Sequence, residues 1–300
     1  MINNIKNNKY IMIILIIISA IFLIVFVKNF IKSFNDNSNQ IIFSYPKWEI
    51  DFAWEKLPDL DKNYFIKERF DKEFLNVSYN LYQFFLYVKR LPIYLPYIEK
   101  TLNDNNIPED FKYLPIAESA FRNDVISWVW AAWIWQFMPE TAREYGLIVD
   151  EEIDERYNFE KSSIAAAKYL NYLHTLFWDW TLVAASYNRW QNWIKNALKD
   201  QQVDNYYDLY LNEETSRYVF KILAIKYVIK DYETKKDYID KLIWWVYEVP
   251  NTESINVWKI DDLKAWAKEK WQNYLTIKNL NQWILWDKLP DWNWEIKILK

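Results

Sequence analysis

Gly146 is the only glycine in 300 residues. Turns, helix C-caps and close backbone approaches call for residues that tolerate positive φ, and glycine is the usual supplier. A chain of this length ordinarily holds about 21 glycines, at ~7%. Tryptophan is abundant instead, at 19, and the two counts together approach an ordinary glycine complement alone. The bulky indole is a poor replacement in a tight turn. We read the exchange as a decoding effect, in which a codon that the source organism reads as glycine, UGA being the obvious candidate, stands here as tryptophan. A chain that simply favours tryptophan is the competing reading, and it leaves the missing glycines unexplained.

The length allows one large domain or two modest ones. A net charge of −4 and a pI near 5.4 lack the basic footprint of a nucleic-acid binder, so none is expected as a partner. Without cysteine there are no disulfides, thiolate metal sites, cysteine nucleophiles or cysteine-linked lipid anchors. The one histidine, His174, cannot build a His-rich metal site and is the sole candidate base for a Ser-His-Asp triad. Its neighbours Tyr172, Leu173, Leu176 and Phe177 read as an ordinary helix. Acid–base chemistry therefore rests mainly on carboxylates, and no metal or cofactor is expected.

Residues 11–27 are apolar apart from Ser19 and are flanked by Lys6, Lys9, Lys28 and Lys32. At ~1.5 Å per residue the run spans about 26 Å, near the lower limit for crossing a bilayer. A cleaved signal peptide competes, but its apolar stretch is normally shorter and ends in small residues. This run ends in Val27, Lys28, Asn29 and Phe30, so residues 1–28 are expected to form a cytoplasmic tip and an uncleaved transmembrane anchor. The balanced lysines do not orient it. Residues 29–60 read as a stalk, with Asn35, Asn37, Asn39 and Pro46.

Residues 61–235 read as an all-α domain. Apolar residues recur at helical spacing in Leu81, Phe84, Phe85 and Val88, and in Ile164, Ala167, Leu170, Leu173 and Phe177, with Pro92, Pro96, Pro108 and Pro115 punctuating the helices. Residues 236–300 read as a small appended α+β unit, with strands expected at 246–250 and 294–299 and a helix at 260–270.

Chemistry centres on Tyr113-Leu-Pro-Ile-Ala-Glu-Ser-Ala-Phe121. A lone glutamate, Glu118, among apolar residues is set for a raised pKa and a general-acid role. A surface glutamate at a helix end fits this segment equally well. Further blocks follow: Ser127-Trp-Val-Trp-Ala-Ala-Trp-Ile-Trp-Gln-Phe-Met-Pro139 with Thr141 and Ala142, then Ala184-Ala-Ser-Tyr-Asn-Arg-Trp190, then Asn212-Glu-Glu-Thr-Ser-Arg-Tyr-Val219. In order and spacing these resemble the soluble-lytic-transglycosylase-like enzymes, the last block resembling the membrane-bound type-D branch. The resemblance covers residues 50–232 and, weakly, the tail.

It implies a lysozyme-like all-α catalytic domain that cleaves peptidoglycan glycan strands between N-acetylmuramic acid and N-acetylglucosamine, leaving 1,6-anhydro ends. It implies Glu118 as the single acid/base, with Ser127, Gln136, Met138, Tyr187 and Asn188 lining the glycan groove and the Tyr187 hydroxyl near Glu118. Met138 reads equally as core, and Asn188 equally as a helix-end cap. The wall lies outside the cytoplasmic membrane, so the large domain is expected to face it. Two other readings stay open: a hydrolytic muramidase on the same fold, and a non-catalytic peptidoglycan-binding scaffold.

The departures from the family pattern fall in one class. Trp128, Trp130, Trp133, Trp178, Trp190 and Trp193 stand where the family has or accepts glycine, whereas Trp135 and Trp180 stand where it accepts tryptophan. Trp48, Trp244 and Trp245 fall in neither group. The gene is therefore expected to carry one shared codon at the first six positions and another at 135 and 180. Restoring glycine at the six should recover activity that the literal sequence lacks. Sequencing the gene checks this directly: mixed codons across the six would discard the decoding reading.

Overall fold

The structure is a computed structural model that describes residues 23–28, 41, 43–46, 49–122, 132–243 and 246–300. The chain divides into two units, Met1–Ile42 and Phe43–Lys300. In the first, residues 23–28 are helical and exposed. Most of the apolar run 11–27 lies outside the described residues, and among those described no helix is long and apolar enough to cross a membrane.

The second unit is mostly helical. A short antiparallel hairpin, β1 (Asp51–Phe52) and β2 (Glu55–Lys56), opens it, within the segment expected to be a stalk. The helices are α1 (Tyr64–Tyr79), α2 (Leu81–Asp104), α3 (Leu114–Ser119), α4 (Pro139–Glu144), α5 (Phe159–Phe177), α6 (Trp180–Asn188), α7 (Gln191–Gln201), α8 (Glu213–Thr234) and α9 (Lys236–Ile243). Asparagine and aspartate start several of them. Asn80, Asn158 and Asp179 accept from the backbone N–H three residues on, at 3.1, 3.1 and 2.7 Å, which satisfies donors that the first helical turn leaves open.

The helix α8 is the spine. Tyr218, Val219, Ile222, Leu223, Ile225 and Val228 are all buried, so it is covered over most of its circumference, as a central helix must be. Even Lys226 is 1% exposed. Its ammonium donates to Asp110 Oδ2 at 2.7 Å, Asp51 Oδ2 at 3.0 Å and the Asp51 carbonyl at 2.7 Å. A buried charge survives when it is paired and fully hydrogen-bonded in this way.

Pro92 and Pro96 do not punctuate helices; both lie inside α2. They sit four residues apart on one face, and α2 buries Phe84, Val88, Ile98 and Leu102 on either side of them. Packing over that length outweighs a local cost of about 3 kcal/mol per proline. In α5 the buried side is Ala166, Ala167, Leu170 and Leu173, while Ile164 is exposed.

Beyond α9, β3 (Thr252–Val257), α10 (Leu263–Glu269), α11 (Tyr274–Leu280) and β4 (Trp294–Leu299) form a βααβ unit. Its strands pair antiparallel from Thr252↔Leu299 to Val257↔Trp294. Trp294, Ile296 and Ile298 alternate inward along β4, as a half-buried strand should. The first strand begins at Thr252, not at 246; the expected strand 246–250 lies outside the ladder with β4, and its Tyr247 N–H donates to the Lys89 carbonyl at 3.0 Å. The unit shares its core with Ile153 of the helical region.

Ten described non-glycine residues have φ between 50 and 70°, and four of them are tryptophans: Trp54, Trp133, Trp178 and Trp271. With Ala53, Trp54 forms the two-residue turn between β1 and β2, both at positive φ, the turn type that prefers glycine in its second place. Trp178 is the left-handed C-cap of α5. Trp54, Trp178 and Trp271 are 76, 79 and 96% exposed. By contrast Trp135 is buried and donates its indole N–H to Ser163 Oγ at 3.0 Å. Trp180 is buried and stacks on His174 at 4.0 Å. Of the six tryptophans set apart from sequence, Trp133 and Trp178 carry this backbone demand, and the backbone adds Trp54 and Trp271 to the glycine-like set. Trp190 and Trp193 have no such backbone demand, and Trp128 and Trp130 lie outside the described residues.

Each of Trp54→Gly, Trp178→Gly and Trp271→Gly is expected to raise stability by about 1 kcal/mol, the cost of a left-handed L-residue. Trp135→Gly should instead cost roughly 3–5 kcal/mol as a core truncation. Urea midpoints decide, and a loss of stability in the first three would refute the backbone argument.

Candidate active site

The short helix α3 is apolar and buried at Leu114, Ile116 and Ala117. It ends abruptly, with Ala120 and Phe121 both left-handed at φ 59 and 55°. Glu118 is its penultimate residue and retains some accessible surface. Six residues cannot sustain a helix unaided, so α3 is held from outside. Ser119 Oγ donates to the Ile134 carbonyl at 3.1 Å. Arg90 reaches the Ala120 carbonyl at 2.9 Å. Lys221 donates to the Ala117 carbonyl.

Tyr218, on the face of α8 toward α3, donates its hydroxyl to Glu118 Oε1. Burial pushes the Glu118 carboxyl up to about 7. The Tyr218 hydrogen bond and the Lys221 charge oppose the rise, and the Glu214 charge adds to it. Desolvation is therefore the controlling cause, and the donor limits it. The Tyr218 phenol is itself driven well above its ordinary range, first by burial and then by Glu118, so it stays protonated as a donor.

Tyr187, near the end of α6, is a close electrostatic neighbour: burial and then the Glu118 charge raise its phenol well above the usual range. Its proton is committed elsewhere, to the Trp135 carbonyl at 2.8 Å. The hydroxyl that touches Glu118 is Tyr218's. Asn188 ends α6, accepting from Thr215 Oγ1 at 2.8 Å and donating to Glu214 Oε1 at 3.0 Å. It reaches α8 one turn before Tyr218.

Gln136 lies within, and Met138 directly follows, a tight turn closed by the Ala132↔Phe137 bridge. Gln136 is left-handed at φ 50° and donates Nε2 to the Trp133 carbonyl at 2.6 Å. Met138 is partly exposed and precedes α4. Ser127 lies outside the described residues. Buried Trp133 has no acceptor for its indole N–H among the described residues. No described cluster of His, Asp or Glu could hold a metal ion.

Sequence reasoning quoted the block containing Tyr218 but gave it no role, and it missed Lys221. Their signal was available: Glu214, Tyr218 and Lys221 are spaced four and three apart, which aligns them on one helical face.

Residues 96–209 match the protein family described as Transglycosylase SLT domain. Over 180 residues, 58% of this chain, the sequence is 33% identical to the membrane-bound lytic murein transglycosylase D of Escherichia coli strain K12. The chain spans 38% of that protein's length. Two solved structures are also similar. An inactive mutant of the lytic transglycosylase Slt of Pseudomonas aeruginosa is 21% identical over 46% of this chain and 24% of its own, with a TM-score of 0.36. The 70 kDa soluble lytic transglycosylase of Escherichia coli is 20% identical over 47% and 24%, with a TM-score of 0.39. The resemblance read from the sequence is borne out, in an SLT-type stretch and a type-D relative.

A carboxyl at about 7 has a consequence that needs no substrate. Between the ordinary value of 4.5 and about 7 the folded chain keeps a proton that the unfolded chain has released. Stability therefore falls as pH rises through that window, and the penalty is complete above it. Glu118→Gln should be more stable than the wild type by roughly 2 kcal/mol at pH 8, a figure discounted for partial exposure, and near parity at pH 4. Urea midpoints at the two pH values test this, and an equal gain at both would reject it.

Proposed function

We propose, from residues 96–209 as a transglycosylase SLT domain, that this chain is a peptidoglycan lytic transglycosylase with Glu118 as its single acid/base. The observation that carries the reading is the buried Glu118, held near 7 with Tyr218 donating to it. A group with that pKa can serve as acid and as base at neutral pH, where acid–base catalysis is most efficient.

In this reading protonated Glu118 gives its proton to the glycosidic oxygen between N-acetylmuramic acid and N-acetylglucosamine. That bond breaks, and the neighbouring acetamido oxygen stabilises the positive anomeric carbon. Ionised Glu118 then takes the proton of the muramic-acid 6-hydroxyl, whose oxygen bonds to its own anomeric carbon. The carboxyl finishes protonated, as it began, and no water is consumed. The internal nucleophile benefits from proximity, where hydrolysis must first position a water.

Tyr218 stabilises the ionised form of Glu118 in the second step and cannot compete for the proton. Gln136, Asn188 and Ser127 supply hydrogen bonds to sugar hydroxyl and acetamido groups, Met138 gives an apolar contact, and Tyr187 braces the turn beside the acid. The fold of residues 61–235 is proposed as lysozyme-like and residues 236–300 as an appendage. Residues 1–28 are proposed as a single-pass anchor that holds the enzyme at the cytoplasmic membrane with its large domain toward the wall, on a stalk from residue 29 to about 50.

Glu118→Gln keeps the shape and removes the titrating proton. Turnover on purified peptidoglycan should fall by at least ~10²-fold with glycan binding retained, and wild-type products should end in 1,6-anhydro sugars by mass spectrometry. Near-normal turnover in the variant would remove Glu118 from the role. Reducing ends would replace the reading with a muramidase, and binding without cleavage with a scaffold.

A further inference from the structure

The turn that carries Gln136 and Met138 is gripped through its carbonyls. Those of Ile134 and Trp135 accept from Ser119 and Tyr187. Phe137, between Gln136 and Met138, presents its carbonyl to Arg156 Nη1 at 3.0 Å. Arg156 is 7% exposed and its ion-pair partner Asp154 is 5% exposed. The pair is a two-pronged fork, with Nε to Oδ1 at 2.9 Å and Nη2 to Oδ2 at 2.7 Å. The fork fixes the guanidinium plane, so the remaining nitrogen can only point where it does.

Asp154 is fixed from behind as well. Its backbone N–H donates to the Trp283 carbonyl at 2.9 Å, Leu285 N–H donates to the Glu152 carbonyl at 3.0 Å, and Ile153 pairs with Ile284. The βααβ unit thus holds the extended segment 152–154, that segment fixes Asp154, and Asp154 aims Arg156 at the turn. A buried ion pair is weak evidence of stabilisation for its own sake, because desolvation offsets the attraction. Here one nitrogen is directed away from the pair to a carbonyl flanked by two groove residues.

We propose that Arg156 is a positioning residue: aimed by Asp154, it fixes the turn that presents Gln136 and Met138 to the glycan. The assignment of those two residues to the groove rests on the function proposed above; the fixing of the turn does not.

Arg156→Lys is the informative variant, since an ammonium can still pair with Asp154 but cannot also reach the Phe137 carbonyl through a planar fork. Amide hydrogen exchange should quicken across residues 134–138 while the centre of α8 keeps its protection. In turnover assays well below the melting temperature, KM should rise on the order of tenfold, as for loss of one charge-assisted hydrogen bond, with kcat within about twofold. Combined with Gln136→Ala, the effect on KM should be less than the product of the single effects, because Arg156 acts through Gln136.

Unchanged exchange at 134–138, or full multiplicativity with Gln136→Ala, overturns the proposal. Quickened exchange in a protein whose wild type cuts no glycan would end the transglycosylase reading and leave the fixing of the turn standing. If Arg156→Lys does not fold, Asp154→Asn, which loosens the same fork, takes its place in both assays. Failure of both to fold would make the pair a core element only and end the proposal.

Discussion

Burying a helix over most of its circumference obliges every polar group on it to find a partner inside the protein, and α8 is where this chain meets that demand. Lys226 is answered by Asp110 and Asp51, Thr215 by Asn188, and Tyr218 by Glu118. Each answer comes from a different part of the chain: the opening hairpin, the 3-10 turn Glu109–Tyr113 before α3, the end of α6, and α3 itself. The contacts that allow α8 to be buried therefore also assemble the candidate site. The arrangement joins stability and chemistry at Tyr218, whose hydroxyl satisfies a buried carboxyl and also moderates its titration.

The turn at 132–137 follows a different logic. It has little regular structure of its own, and two of its residues are left-handed. Side chains reaching its carbonyls from α3, α6 and the 154–156 segment give it shape. In ordinary sequences such a segment leans on glycine for its backbone angles. In this one, left-handed geometry falls on Trp133 and Gln136, and the buried indole N–H of Trp133 finds no acceptor among the described residues. A glycine at 133 would remove both the strain and the orphaned donor. Left-handed strain and a donor unsatisfied among the described residues coincide at position 133, which supports the decoding reading beyond composition alone.

Much of the helical layout was legible because it depends on local rules. Asn80, Asn158 and Asp179 stand at helix starts, the apolar spacing in α2 and α5 is regular, and β4 alternates with period two. The apolar setting of Glu118 left a surface glutamate equally open, and its chemistry became legible only with the ordered blocks at 127–142, 184–190 and 212–219. What sequence misjudged depends on contacts distant along the chain. Pro92 and Pro96 read as breaks because their cost is local, while the packing that overrides it comes from other helices. Residues 246–249 have strand-like composition, but pairing with β4 selects residues 252–257. Tyr187 does couple electrostatically to Glu118, but the hydroxyl that donates to the acid is on α8, one hundred residues from the glutamate, and no rule local to Glu118 points to it.

The brevity of α3 has a consequence for how the chain matures. Residues 114–119 are synthesised early, but nothing in that segment can hold a helix or desolvate its glutamate. Lys221, which holds the Ala117 carbonyl, and Tyr218, which donates to Glu118, arrive about a hundred residues later. A growing chain that stops short of Tyr218 lacks both of these contacts. The surroundings of the carboxyl are therefore complete only once α8 has been made, well after the glutamate itself.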